Sequence, residues 1–223
     1  MVNGPSIEAA RKAGMDTRLT DKSCEEFLCK LTAKEAVPGG GGAAALVGAL
    51  GVALCSMVGN FTSGKKAFAA VEDDVKRMLQ ECEDVRKRLA ELVQEDAEAF
   101  EPLSRAYTIS RDDPQRAEVI EACTKQACAA PLEMMRQLCR AIELLEEMGD
   151  KGSRMLLSDV GCGAMLCKAA LEAASLNVFV NTRALRDRDF AQNTEDECDA
   201  MLKEYCERAQ VCADAVTRRI RGA

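Results

Sequence analysis

Polar side chains interrupt two apolar helical stripes of this sequence. Asp96 occupies a position at which the stripe Val71–Leu103 otherwise calls for an apolar residue, and Asp159, Asn177 and Asn181 interrupt a second stripe of small and apolar residues. A buried carboxylate is costly unless a cation or a hydrogen-bond donor pairs with it. Such acids often have a raised pKa, which suits proton transfer. Two acids and two amides together indicate a polar site, and the alternative is structural pairing of each acid with a Lys or Arg.

Four consecutive glycines, Gly39 to Gly42, follow Pro38 and precede the apolar segment Ala43–Val58. Proline fixes φ, and a glycine run loses much backbone entropy in a helix, so this run predicts a loop. The free N–H groups and the dipole at the start of the next helix can bind an anion. A simple connecting loop is the alternative.

The segment Gly59–Lys66 matches the sequence motif of a phosphate-binding loop as far as Lys65. That loop needs Ser or Thr after its lysine to hold magnesium and it follows a strand, whereas here Lys66 follows and the preceding segment is helical. The sequence therefore argues against nucleotide hydrolysis. Lys65 and Lys66 remain as two ammonium groups at a helix-to-helix junction, where they either meet a carboxylate or solvate a surface turn.

The composition excludes several classes of site. Histidine is absent, and the twelve cysteines include no C-x-x-C pair, so histidine catalysis, histidine metal ligation and zinc-ribbon geometry are excluded. A net charge of -7 argues against a nucleic-acid partner, because such binding needs a basic face. We expect the cysteines to be reduced core residues of a cytosolic protein.

The apolar spacing predicts an all-α, single-domain bundle of about six helices, two of them long, with no strand pattern. The predicted helices run from Ser23 to about Glu35, Ala43–Val58, Phe68–Leu103, Pro114–Gly149 with a kink at Pro131, Ser153 to about Leu185, and Thr194 to a basic end near Arg221. Capping boxes at Ser23/Glu26 and Thr194/Glu197 mark two helix starts, and Pro114 is predicted at a first helical position.

Residues 1–18 are predicted to be a flexible arm, and residues 19–223 to be one helical domain. The arm is polar and lacks the apolar region of a signal peptide, so we expect a cytoplasmic protein. Ala43–Val58 is shorter than the roughly 20 residues needed to cross a bilayer. A buried central helix is therefore favoured over a membrane span.

These segments resemble the cyclodeaminase/cyclohydrolase family, which contains formiminotetrahydrofolate cyclodeaminase and short methenyltetrahydrofolate cyclohydrolases. The resemblance covers about Leu19 to Val216. The matching segments, in order, are Pro38–Ala45, Gly48–Gly51, Ser56–Val58, Gly64–Lys66, Asp96–Phe100, Ser158–Asp159, and Asn177–Val178 with Asn181. Some relatives have two arginines where this chain has Lys65 and Lys66.

The resemblance implies a homodimer with active sites in clefts near the subunit interface, a folate substrate, and no metal or nucleotide cofactor. It implies either hydrolysis of 5,10-methenyltetrahydrofolate to 10-formyltetrahydrofolate or cyclodeamination of 5-formiminotetrahydrofolate. The residues do not choose between these reactions, although a lone domain leans towards hydrolysis.

The resemblance also implies roles for the polar residues. Asp96, Asp159 and Lys66 are the candidate catalytic groups, which exchange protons and stabilise positive charge. The candidate substrate-binding groups are Asn177 and Asn181 at the pterin edge, Lys65, Lys66 or Arg183 at the glutamate tail, Gly39, Gly40, Gly41 and Gly42 along the pocket, and Asn60. A non-enzymatic helical scaffold or folate-binding subunit is the alternative, and retention of both embedded acids argues against it.

Overall fold

A computed structural model describes residues 18–222, and these residues form helices and connecting turns without a strand. The α-helices are α1 (Cys24–Thr32), α2 (Gly40–Asn60), α3 (Glu72–Ala106), α4 (Arg116–Ala127), α5 (Ala129–Lys151), α6 (Leu157–Thr182) and α7 (Arg188–Arg221). Short 3₁₀ turns precede α1, α3 and α6. The predicted all-helical bundle is confirmed, with α2 to α7 forming the bundle and α1 added at its edge. The predicted arm, residues 1–18, lies outside the described residues except for Arg18.

The two predicted capping boxes had different outcomes. Ser23 and Glu26 form the box as predicted, because the Ser23 hydroxyl accepts from the Glu26 N–H and the Glu26 carboxylate accepts from the Ser23 N–H. The prediction at Thr194 was wrong. Asp187 caps α7 instead by accepting from the Phe190 N–H at 3.0 Å, so the helix starts at Arg188 and Thr194 lies inside it.

The glycine run is helical over most of its length, which corrects the prediction of a loop. Only Gly39 is non-helical, and α2 begins at Gly40. Each glycine costs about 1 kcal/mol relative to alanine in a helix. Gly41 and Gly42 are buried where α2 meets α3. Position 41 requires glycine, because an added β-carbon would lie 2.5 Å from Asp96 Oδ1, whereas a β-carbon at position 42 would make ordinary contacts at 3.6 Å or more.

The predicted helix Pro114–Gly149 is two helices, α4 and α5, which are separated at Cys128. Pro131 lies in the first turn of α5, so the break falls just before the proline that was expected to kink one helix. Pro114 lies in the turn before α4 rather than at its first position, because Asp113 accepts from the Gln115 N–H at 2.8 Å and holds that turn.

The central helix α2 packs against α3, α5 and α6. Small residues allow the close approach between α2 and α6: a β-carbon on Gly163 would lie 3.0 Å from the carbonyl oxygen of Gly51. The core around α2 is mainly Ala, Val, Leu, Cys and Met. All twelve cysteines are free thiols, but only six are fully buried, and Cys24, Cys29 and Cys162 are exposed.

Two helical segments have the length and composition of a membrane span, Gly40–Asn60 and Arg154–Thr182. The first is 21 residues long, so the sequence argument that this helix is too short was wrong. Of the two apolar windows, 56% and 44% of the residues are buried inside the fold. The exposed remainder forms an apolar face on α2 and α6, which includes Leu50, Met165, Leu176 and Val180.

Candidate active site

One cleft gathers half of the twelve predicted site residues. It has a volume of about 220 Å³ and lies where the start of α2 meets α3, α6 and the α4–α5 junction. The lining residues are Ala36, Val37, Gly39, Gly40, Gly41, Asp96, Phe100, Ala127, Asn177, Val180 and Asn181. The structure therefore brings together an acid, two amides and the glycine turn, which are far apart in sequence.

Asp96 on α3 is half-buried against the N-terminus of α2. Its carboxylate accepts a hydrogen bond from the Gly42 N–H and touches Gly41, where an added β-carbon would lie 2.5 Å from Oδ1. Burial raises the pKa of Asp96, and the Gly42 N–H opposes this rise in part. Among residues 18–222 no Lys or Arg forms an ion pair with Asp96, so the helix N-terminus replaces the structural cation that was the alternative.

Asn177 and Asn181 lie one turn apart on α6, and both side chains are held by backbone carbonyls. Asn177 Nδ2 donates to the Ala173 oxygen at 2.9 Å, and Asn181 Nδ2 donates to the Ala127 oxygen at 3.0 Å. These bonds leave the two Oδ1 atoms as acceptors at the cleft. Together with Asp96 they give the cleft three acceptor groups between apolar walls.

The apolar walls include Phe100 and Val180, which the sequence reasoning did not select. Phe100 lies one turn beyond Asp96 on α3, and Val180 lies between the two asparagines on α6. Their spacing could have indicated them, because Phe100 is four residues after Asp96 and Val180 is three residues after Asn177 on the same helix. Ala127 contributes its backbone carbonyl, which composition alone does not reveal.

Four other predicted residues lie at the opposite end of the bundle. Asn60 ends α2, and Lys65 and Lys66 follow it, all three exposed; the Lys65 ammonium lies 5.9 Å from the Phe61 ring centroid. Asp159 lies in the first turn of α6, about 27 Å along the helix axis from Asn177 at the rise of an α-helix. A single chain therefore does not place these residues beside Asp96.

The remaining predicted residues, Gly42 and Arg183, lie at the cleft end of the molecule. Gly42 is buried behind the cleft and reaches it through the N–H that binds Asp96. Arg183 is exposed and caps the C-terminus of α6, two residues beyond Asn181. It forms no ion pair with any described residue, so its guanidinium remains available to an anion near the cleft entrance.

The described part of the chain contains no group of three or more Cys, Asp or Glu side chains that could hold a metal ion. The cleft contains one carboxylate and two carboxamides. Such a set can accept a proton, orient a water molecule and bind N–H donors of a flat ring.

Known proteins are similar to this chain in sequence and in fold. A methenyltetrahydrofolate cyclohydrolase of Methylorubrum extorquens is 38% identical over 82% of this chain and 90% of its own length. The formimidoyltransferase-cyclodeaminase of Mus musculus is 30% identical over 86% of this chain, but the match spans only 36% of that longer protein. The crystal structure of formiminotetrahydrofolate cyclodeaminase from Thermotoga maritima superposes with a TM-score of 0.81 at 28% identity, covering 89% of this chain and 99% of that one.

The family described as formiminotransferase-cyclodeaminase matches residues 23–200, which include every candidate residue of the cleft. On this match, and on the 38% identity to the cyclohydrolase, the chain belongs to the formiminotransferase-cyclodeaminase family.

Proposed function

We propose that this chain is an enzyme of one-carbon folate metabolism that hydrolyses 5,10-methenyltetrahydrofolate to 10-formyltetrahydrofolate in the cleft around Asp96. The observation that carries the proposal is a half-buried carboxylate of raised pKa between two amide acceptors, in a chain similar to a methenyltetrahydrofolate cyclohydrolase over most of its length.

The chemistry needs one group that both accepts and returns a proton. A water oxygen adds to the cationic carbon that bridges N5 and N10, and the water loses one proton to Asp96. Protonated Asp96 then donates this proton to N5 as the carbon–N5 bond breaks. The hydroxyl proton leaves to solvent as the formyl carbonyl forms on N10. A carboxyl group of raised pKa suits both proton transfers, and its negative charge stabilises the cationic substrate.

The acceptor-rich cleft suits the pterin end of the substrate. The Oδ1 atoms of Asn177 and Asn181 would accept from N–H groups on the pterin edge, while Phe100 and Val180 cover its faces. The glutamate tail would extend towards Arg183, the exposed guanidinium at the end of α6. Arginine is well suited to this role because its planar fork binds carboxylates with two hydrogen bonds.

Cyclodeamination of 5-formiminotetrahydrofolate is the second candidate, favoured by the similarity to the cyclodeaminase structure. In that reaction N10 attacks the formimino carbon, Asp96 accepts the N10 proton, and ammonia leaves after protonation. Purified protein mixed separately with each substrate distinguishes the two. Hydrolysis removes the near-ultraviolet absorbance of the methenyl group, and cyclodeamination creates it. A lack of change above the uncatalysed rate with both substrates would overturn the enzymatic proposal.

The proposed reaction consumes only water and needs no metal or organic cofactor. Activity should therefore survive extended dialysis against EDTA, and a loss that a divalent metal restores would contradict this proposal. The proposed compartment is the cytoplasm, whose reducing conditions keep exposed thiols such as Cys162 free. Fractionation of the source cells with a folate enzyme as marker tests the compartment.

The proposed active form is a homodimer that buries the apolar face of α2 and α6. This face carries Leu50, Met165, Leu176 and Val180, and no described residue covers them. Val180 also lines the cleft, so the face and the cleft are continuous. An apolar patch of this kind marks an interface in a soluble protein. We favour a second copy of the chain over a lipid bilayer as the occupant of this face, because about half of each helix is already buried in the chain's own core.

A twofold axis near the middle of this face would bring the opposite end of the partner beside the cleft, since each copy presents the same surface. That end carries Lys65, Lys66 and Asp159. These three residues thus remain candidates for the site, supplied by the second copy.

Subunit complementation tests this arrangement. Asp96→Asn and Lys66→Ala variants should each be inactive alone, but after subunit exchange about a quarter of the sites would combine an intact Asp96 with an intact Lys66. Recovery of activity on mixing supports a shared site, and an absence of recovery between two exchanging variants excludes it. Sedimentation velocity with and without lipid vesicles tests the dimer itself, and a monomer that partitions onto vesicles would overturn it.

A further inference from the structure

The hydrogen bond that orients Asn181 is accepted by the backbone carbonyl of Ala127, which has no helical hydrogen-bond partner. Asn181 Nδ2 donates to the oxygen of Ala127, the last residue of α4. A carbonyl at this point of a continuous helix would accept from the N–H four residues later. That residue is Pro131, which has no N–H. The carbonyl is therefore left without a helical partner.

The backbone between α4 and α5 is otherwise almost helical. Cys128, the single residue between them, has φ -74° and ψ -24°, which are close to α-helical values. The Leu132 N–H donates to the Cys128 oxygen at 3.2 Å, so the helical bonding resumes one residue after the proline. The missing proline N–H thus accounts for the unfilled bond at Ala127, and Asn181 fills it from α6.

Ala127 is only 5% exposed although it lines the cleft, so its carbonyl has little access to water. A buried carbonyl without a donor is costly. The Ala127 oxygen therefore favours the orientation of Asn181 that points Nδ2 towards it. The contact uses the Nδ2 end of the carboxamide and so turns Oδ1 towards the cleft. Reversal of the amide would place two oxygens against each other.

We propose that Pro131 is a positioning residue for the active site, which acts by keeping the Ala127 carbonyl free to orient the Asn181 carboxamide. This inference rests on the proposed function, because it concerns a side chain assigned there to the substrate. Pro131 itself lies in α5 and is buried, and it does not line the cleft.

The test is Pro131→Ala, which restores an N–H in the first turn of α5. This N–H would compete for the Ala127 oxygen and release Asn181. We expect KM for 5,10-methenyltetrahydrofolate to rise about fivefold or more, the equivalent of one hydrogen bond. We expect Tm to stay or rise, because alanine is the better helix former. If Pro131 had only a structural role, Pro131→Ala would lower both Tm and activity, or it would change neither.

Pro102→Ala is the matched control. Pro102 is also inside a helix, α3, but it is exposed and lies outside the cleft. Its replacement likewise adds a helical N–H, and KM should not change. An equal rise in KM for both variants would show a general effect of helix stiffening and would overturn the role of Pro131.

A double-mutant cycle separates this inference from the proposed function. Asn181→Ala alone should raise KM, and Pro131→Ala should add little in that background, because the two act through one contact. If Asn181→Ala leaves KM unchanged, the substrate role of Asn181 in the proposed function fails. If Asn181→Ala raises KM but Pro131→Ala does not, the substrate role stands and the Pro131 inference fails.

Discussion

The carboxylate of Asp96 lies directly against the backbone of Gly41, so a β-carbon at position 41 would stand 2.5 Å from one carboxylate oxygen and 2.6 Å from the other. The Asp96 carboxylate on α3 therefore occupies the space that a side chain at position 41 in the first turn of α2 would need. The N–H of the next residue, Gly42, binds the carboxylate. This contact explains why position 41 is glycine although it lies inside a helix, and why a half-buried acid needs no cation.

Gly41→Ala should lower kcat/KM by about 10-fold to 100-fold, because the new methyl group must displace the Asp96 carboxylate and small displacements of catalytic groups are costly. Steady-state kinetics with 5,10-methenyltetrahydrofolate, alongside circular dichroism to confirm folding, measure this effect. Alanine is otherwise favourable in a helix, so the loss would come from the clash alone.

The matched control for this prediction is Gly41→Ala made in an Asp96→Ala background. Once the carboxylate is absent, alanine at position 41 has no oxygen to displace and should raise Tm. A Tm that falls equally in both backgrounds would show that position 41 requires glycine for a reason other than Asp96.

Asp96→Asn should lower kcat about 10²-fold to 10⁴-fold, the usual contribution of a group that transfers protons. Its carboxamide oxygen still accepts from the Gly42 N–H, so the fold should persist. Stopped-flow or steady-state absorbance of the methenyl group measures the rate. Asp84→Asn, on an exposed carboxylate of the same helix, is the control and should keep wild-type kinetics.

The Asp96→Asn variant should also be more stable than the wild type at neutral pH. A carboxyl group whose pKa is raised on folding contributes stability that is present below its unfolded pKa and is lost as pH rises through the folded pKa. Wild-type Asp96 thus disfavours the fold at neutral pH, and asparagine removes that effect. Thermal unfolding of both proteins across pH tests this, and a variant that is less stable at pH 7 contradicts it.

The pH profile of kcat/KM should show an acid limb that belongs to Asp96. The carboxyl must be ionised to accept a proton from water, so activity falls as pH drops through its pKa. Because burial raises that pKa above 3.8, the limb should lie at a higher pH than for an exposed aspartate. Initial rates corrected for uncatalysed hydrolysis give the profile. Rates that stay constant down to pH 3.8 would exclude Asp96 as the base.

Leu176→Glu should convert the proposed dimer to a monomer, because Leu176 is 68% exposed in the single chain and a charge there would be buried against a second copy. Size-exclusion chromatography with light scattering measures the mass. Val211→Glu is the control on α7, where the side chain is also exposed but lies outside the apolar face. A Leu176→Glu protein with the wild-type mass would place the interface elsewhere.

The sequence by itself determined the features that depend on local spacing. The apolar period predicted the helices and placed Asp96 on the inner side of α3, and the Ser23 and Glu26 box marked the start of α1 because its bonds join residues three apart. The same period placed Asn177 and Asn181 on one face of α6. Such features follow from the geometry of a single helix and need no other part of the chain.

Only the tertiary structure decided which of these residues meet. Position 41 and Asp96 touch because α2 packs on α3, and this packing also makes a glycine run helical that locally favours a loop. The Ala127 carbonyl reaches Asn181 because α6 crosses the α4–α5 junction. These relationships arise from contacts between residues distant in sequence, where burial outweighs local preference.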